Sequence, residues 1–133
     1  ISASPSNRLE LCLGSVQEMP HSSMDVYQTV EKYVRENRVG YIHFRNVIGK
    51  VPKYAEVFVD EGDIDMPRIV SLLHACQYDG VLVPDHTPAL ECDASWHAGM
   101  AYALGYMKAL VQLASQGRLN HLAPRPDVST VAA

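Results

Sequence analysis

Apolar residues along this chain follow two different periods. Leu9 to Leu13 (LELCL), Gly40 to Phe44 (GYIHF) and Gly80 to Val83 (GVLV) are short, nearly continuous apolar runs. Such runs, bounded by turn residues, predict buried strands. Asp25 to Asn37 instead places Val26, Val30, Tyr33 and Val34 at helical spacing with charges opposite them, and Asp25 serves as N-cap or first-turn acid. Met66 to Cys76 is a second helix, with a buried stripe of Ile69, Val70, Leu72, Leu73 and Cys76. Asp65 caps it, and Pro67 is tolerated in its first turn. Ala98 to Ser115 is a long helix rich in Ala and Leu. The first strand is expected to end in a loop at Gly14 and Ser15. A longer loop is expected from Ile48 to Asp65, and Trp96 and His97 fall in a loop ahead of the last helix. Residues 1–116 form the folded domain; 117–133, with Pro124 and Pro126, are expected to be a flexible extension.

The predicted order is strand, helix, strand, helix, strand, helix. Continuous apolar strands alternating with helices indicate an α/β fold with a parallel sheet. Cys12 and His43 are about 31 residues apart, and His43 and Asp85 about 42. Both intervals suit successive βα units. Three units make either a small open sheet or the last three-eighths of a (β/α)8 barrel.

Composition narrows the function classes. The 133 residues are 47% hydrophobic and 20% charged, with a net charge of -4. No cluster of Lys and Arg supplies a nucleic-acid footprint. The apolar stretch from Met100 to Ala114 contains Lys108 and Gln112 and is short for a bilayer, so no membrane partner is expected. Cys12, Cys76 and Cys92 form no CxxC motif and no paired framework, which suits a reducing, cytoplasmic setting. The chain opens on Ile1 in a polar, proline-containing stretch and is expected to be a fragment or a processed piece.

Each predicted strand ends near a group that binds metals: Cys12 in LELCL, His43 in YIHF and Asp85 after VLVP. The carboxyl ends of parallel strands line one rim, so these three groups converge in a parallel α/β fold. Taken singly, Cys12 reads as a small core side chain and His43 as a hydrogen-bonded buried histidine. Asp85 with His86 reads as a loop anchor. Coincidence at all three strand ends favours a metal site. Thiolate, imidazole and carboxylate together make a softer site than one built for Mg²⁺ or Ca²⁺, and suit Zn²⁺, Co²⁺ or Fe²⁺; the donor set alone does not select Mn²⁺. Arg45, two residues beyond His43, is placed to grip a carboxylate or to form a salt bridge at the rim. Asp60, Glu61, Asp63 and Asp65 read as solvated loop charge with a helix cap.

LCLGSVQEM, GYIHFRNVIGKVP, DEGDIDM, DGVLVPDH and AYALGYMKAL, in that order, resemble the C-terminal segments of mannonate dehydratase. The resemblance runs from about Leu9 to Leu113. It implies the C-terminal βα units of a xylose-isomerase-like (β/α)8 TIM barrel, here incomplete. It also implies metal-dependent removal of water from D-mannonate to give 2-keto-3-deoxy-D-gluconate. Carried over by position, it implies Cys12, His43 and Asp85 as metal ligands, with Mn²⁺ as the usual ion and Fe²⁺, Co²⁺ or Mg²⁺ as alternatives. A further histidine ligand of the family lies upstream of the matched region. Arg45 would bind the substrate carboxylate, and His86 and Tyr102 would share the acid and base roles, unassigned between them.

A sugar isomerase or epimerase on the same barrel type competes with this reading, because fold does not fix chemistry. A catalytically silent fragment that folds by association is a third. Three βα units do not close a barrel of eight, so the chain is expected to form a homo-oligomer or to pair with the missing barrel segment.

Overall fold

The computed structural model describes residues 4–123. Its elements run β1 (Leu9–Cys12), α1 (Leu13–Glu18), α2 (Val26–Arg35), β2 (Val39–His43), β3 (Asn46–Lys50), β4 (Lys53–Val57), α3 (Met66–Ala75), β5 (Val81–Val83), α4 (Ser95–Ser115) and a 3-10 turn at Asn120–Leu122.

The three apolar runs form a parallel sheet in the order β1-β2-β5. Each strand adds on the same side of its predecessor. Right-handed crossovers then place every connecting helix on one face. Burial follows that geometry. Leu11 and Ile42 are buried against Val26, Val30 and Val34 of α2 and Ile69, Val70 and Leu73 of α3. The opposite face, bearing Glu10, Tyr41 and Val81, is exposed, Val81 to 61%. The sheet is therefore, among the described residues, covered on one side only. Among the described residues, the outer edges of β1 and β5 pair with no further strand.

The helices form where their apolar stripes predict them. At the start of α2 the Asp25 carboxylate accepts from the Gln28 backbone N–H, and the Gln28 side chain accepts from the Asp25 N–H. This reciprocal box satisfies two donors that the first turn leaves free. Asp65 caps α3 by accepting from the Arg68 N–H, with Pro67 in the first turn. No helix among the described residues is long and apolar enough to cross a membrane.

The structure departs from the sequence expectations in four places. β1 runs directly into α1, so Gly14 and Ser15 are helical rather than loop. The expected loop from Ile48 to Asp65 contains most of an antiparallel hairpin, β3 to β4, turning at Val51 and Pro52. Its residues are largely exposed on both faces, so the hairpin lacks the apolar alternation that marks a half-buried strand. Helix α4 begins at Ser95 and takes Trp96 and His97 into its first turn. In the expected extension, Leu119 is buried and its carbonyl accepts from the Ser71 hydroxyl, so residues 117–123 return onto α3. The remainder of that segment, 124–133, lies outside the described residues.

Candidate functional site

Strand register assembles the site. Cys12 is the register partner of His43, and His43 is the partner of Val83. Adjacent strands lie about 4.8 Å apart. Cys12 and His43 are therefore neighbours at the carboxyl ends of β1 and β2, and Asp85 follows two residues beyond β5. One ligand atom from each of Cys12, His43 and Asp85 lies within 4.8 Å of the other two, and all three side chains are half-buried. His43 Nδ1 sits 3.5 Å from Asp85 Oδ2 and 3.2 Å from Glu10 Oε1. Glu10 in turn accepts from the Tyr41 hydroxyl. Alternation along the strands puts Glu10 on the face of Cys12 and Tyr41 on the face of His43.

The remaining expected residues do not all join this cluster. His86 does: its Nε2 lies 3.2 Å from Asp85 Oδ2, and its Nδ1 lies 2.7 Å from Glu56 Oε2. Arg45 is buried beneath it, with Nη1 2.6 Å from Glu56 Oε1 and Nη2 3.2 Å from Glu18 Oε2 and 3.3 Å from Ser15 Oγ. Burial alone would lower the Arg45 pKa. The fields of Cys12, Glu18, Glu56 and Asp85 outweigh it and raise the value, so the guanidinium is the positive centre of an acidic site. Gly14 makes this burial possible, because a Cβ there would stand 2.4 Å from Arg45 Nε.

Tyr102 is placed differently. Its hydroxyl donates to Asp60 and its ring meets Phe58 edge-on, which ties it to the connection between β4 and α3. The hydrogen bond to Asp60 is the largest cause of a phenol pKa pushed up to about 12. Asp60→Asn is expected to bring the Tyr102 titration back towards the ordinary tyrosine value of about 10. Ultraviolet difference titration of the variant against the wild type reads this directly. The sign follows from a folded pKa above the unfolded one. The contact stabilises the fold below the unfolded pKa, and that contribution is lost as pH rises through about 12.

Sequence reasoning missed Glu10, Glu18 and Glu56, which supply the carboxylates around the histidines and Arg45. Glu18 ends α1, and Glu56 lies on β4 of the unexpected hairpin. Buried Asn46 holds that hairpin in place. Its side-chain amide donates to the Val59 and Ile64 carbonyls and accepts from the Val47 and Ile64 N–H groups. Gly62 leaves room for it, since a Cβ there would stand 2.1 Å from Asn46 Oδ1.

Comparison with known proteins gives the family. The family model for D-mannonate dehydratase (UxuA) matches residues 1–118. The chain belongs to the mannonate dehydratase family. A mannonate dehydratase of Lactococcus lactis subsp. cremoris is 33% identical over 88 residues, covering 62% of this chain and 24% of that protein. One from Streptococcus uberis is 34% identical over 86 residues, with the same coverage. The chain thus spans about a quarter of the length of these curated relatives. The crystal structure of mannonate dehydratase from Streptococcus suis serotype 2 matches with a TM-score of 0.71 at 24% identity. It covers 99% of this chain and 39% of that one, which establishes a shared fold.

Proposed function

We propose that this chain is the C-terminal part of a metal-dependent hydro-lyase that converts D-mannonate to 2-keto-3-deoxy-D-gluconate. The observation that carries the reading is the convergence of Cys12, His43 and Asp85 at adjacent strand ends, in a member of the mannonate dehydratase family. Its three βα units form one segment of a (β/α)8 barrel. The single winding direction, the helices on one face and the two unpaired edges support this, and the exposed face with Glu10 and Tyr41 becomes the barrel interior. The open edges also favour pairing with a further polypeptide segment. The free thiols support a reducing, cytoplasmic setting.

The donor set fits a divalent ion. A thiol, an imidazole and a carboxylate lie close enough to share one centre, and none is deeply buried. Family membership favours Mn²⁺, and the ligand chemistry also admits Fe²⁺ or Co²⁺. When bound, such an ion offsets the negative charge that develops beside the substrate carboxylate as a proton is removed. The chain's own residues handle the protons. His86 lies against Asp85 and is suited to take a proton from carbon or give one to the departing hydroxide. Tyr102, kept protonated by Asp60, is suited to the acid role if substrate reaches α4. Arg45 is suited by charge to face a sugar acid, but Glu18 and Glu56 already hold its guanidinium.

The test is turnover. A full-length version carrying this segment, supplied with Mn²⁺ and D-mannonate, should accumulate the keto-deoxy acid, and neutral ketoses should give no product. A protein that binds Mn²⁺ at these residues and yields no keto-deoxy acid from D-mannonate would overturn the assignment.

A further inference from the structure

We propose that Glu56 is the positioning residue of His86, and that Arg45 acts as the clamp that holds Glu56 in place. The inference rests on the reading of His86 as a proton carrier, and adds how its ring is oriented and which nitrogen does the work.

His86 lies between two carboxylates that are not equivalent. Asp85 Oδ2 is 3.2 Å from Nε2, but the same oxygen faces His43 Nδ1 at 3.5 Å and belongs to the trio. Glu56 Oε2 is 2.7 Å from Nδ1 and faces no member of the trio in a contact this short. The shorter contact fixes the ring. A neutral imidazole carries one N–H, and the hydrogen bond made by one nitrogen decides the state of the other. The closer carboxylate, Glu56 at Nδ1, competes better for that proton than Asp85 Oδ2, which His43 Nδ1 also faces. Nδ1 therefore carries it, and the Nε2 lone pair lies on the side of the trio.

Glu56 is itself immobilised from two directions. Its other oxygen, Oε1, accepts from Arg45 Nη1 at 2.6 Å. Arg45 is buried and tied to Glu18 and Ser15 of α1, so the clamp does not swing. On the backbone side, Glu56 pairs with Val47, next to the register pair Asn46 and Val57. Asn46 is buried with four hydrogen bonds. The hairpin, anchored by buried Asn46 and Val47, therefore delivers one carboxylate to one histidine nitrogen. Arg45 meets carboxylates of its own chain at both ends of its guanidinium, which gives it a use that requires no substrate.

The test reads the tautomer of His86 by nitrogen-15 NMR of the metal-free protein, at a pH where the ring is neutral. The wild type is expected to show the Nδ1–H form, and Glu56→Leu to shift His86 towards the Nε2–H form. In turnover of D-mannonate with Mn²⁺, Glu56→Leu should lower kcat by about 10–100-fold with little change in KM, the scale seen for outer partners of catalytic centres. Glu56→Gln, which keeps an acceptor oxygen, should restore the Nδ1–H form and part of kcat. An unchanged tautomer in Glu56→Leu overturns the proposal, whether or not turnover is seen. A wild-type His86 carrying its proton on Nε2 also overturns it, and needs no variant to fold. Full turnover in His86→Asn would instead sink the proton-carrier reading and leave the tautomer result standing.

Discussion

Cys12→Ala should weaken divalent-ion binding by more than 100-fold, roughly beyond the range seen when an outer-shell partner of a metal ligand is lost. The thiol is one of three donors within 4.8 Å of one another, and alanine offers no replacement atom. Cobalt(II) titration provides the measurement. The wild type should develop the near-ultraviolet absorption of a thiolate–cobalt bond, and the variant should not. Cys76 and Cys92 lie outside the trio, so their alanine variants are the controls. Because ligating thiols and imidazoles must be deprotonated, affinity in the wild type should also fall as pH is lowered. Unchanged affinity in Cys12→Ala would remove Cys12 from the ligand set.

The second large effect is on stability. Asn46→Ala should destabilise the chain by about 2–4 kcal/mol, the scale for leaving several buried backbone groups without partners. The substitution orphans the Val59 and Ile64 carbonyls and the Val47 and Ile64 N–H groups. Only a buried amide carries two donors and an acceptor at one point, so no apolar residue of similar size replaces it. Urea unfolding measures the change. A two-stranded hairpin has little stability of its own, so its docking should suffer first. Hydrogen exchange of the β3 and β4 amides would accelerate ahead of those in α3. A loss below about 0.5 kcal/mol, the range of an ordinary surface substitution, would show that the anchor is not needed.

The trio was legible because it depends on local rules. An apolar run marks a strand, a strand end marks the rim, and three residue types able to bind metal at three strand ends are visible without knowing the contacts. The resemblance to mannonate dehydratase added an expected substrate to that pattern, and the family model matches residues 1–118. The partners of the trio were not legible. Glu10, Glu18 and Glu56 stand in exposed or amphipathic segments, where an acid ordinarily reads as solvated charge. One signal was available: an arginine placed in an apolar strand end must find counter-charges when buried. That argument calls for carboxylates near Arg45 without saying which ones.

By itself, then, the sequence determined the parallel βα order, the capped starts of α2 and α3, and the placement of Cys12, His43 and Asp85 at three strand ends. Each of these follows from spacing and residue chemistry within about one element. Tertiary structure alone decided that β3 and β4 form a hairpin and that Asn46 anchors it. It also decided that Arg45 faces Glu18 and Glu56 and that Glu56 meets His86. Those contacts join residues 11 to 30 positions apart through backbone that carries no apolar period. They arise because a buried guanidinium needs counter-charges and a buried amide needs hydrogen-bond partners, and only the folded chain shows which groups can reach them.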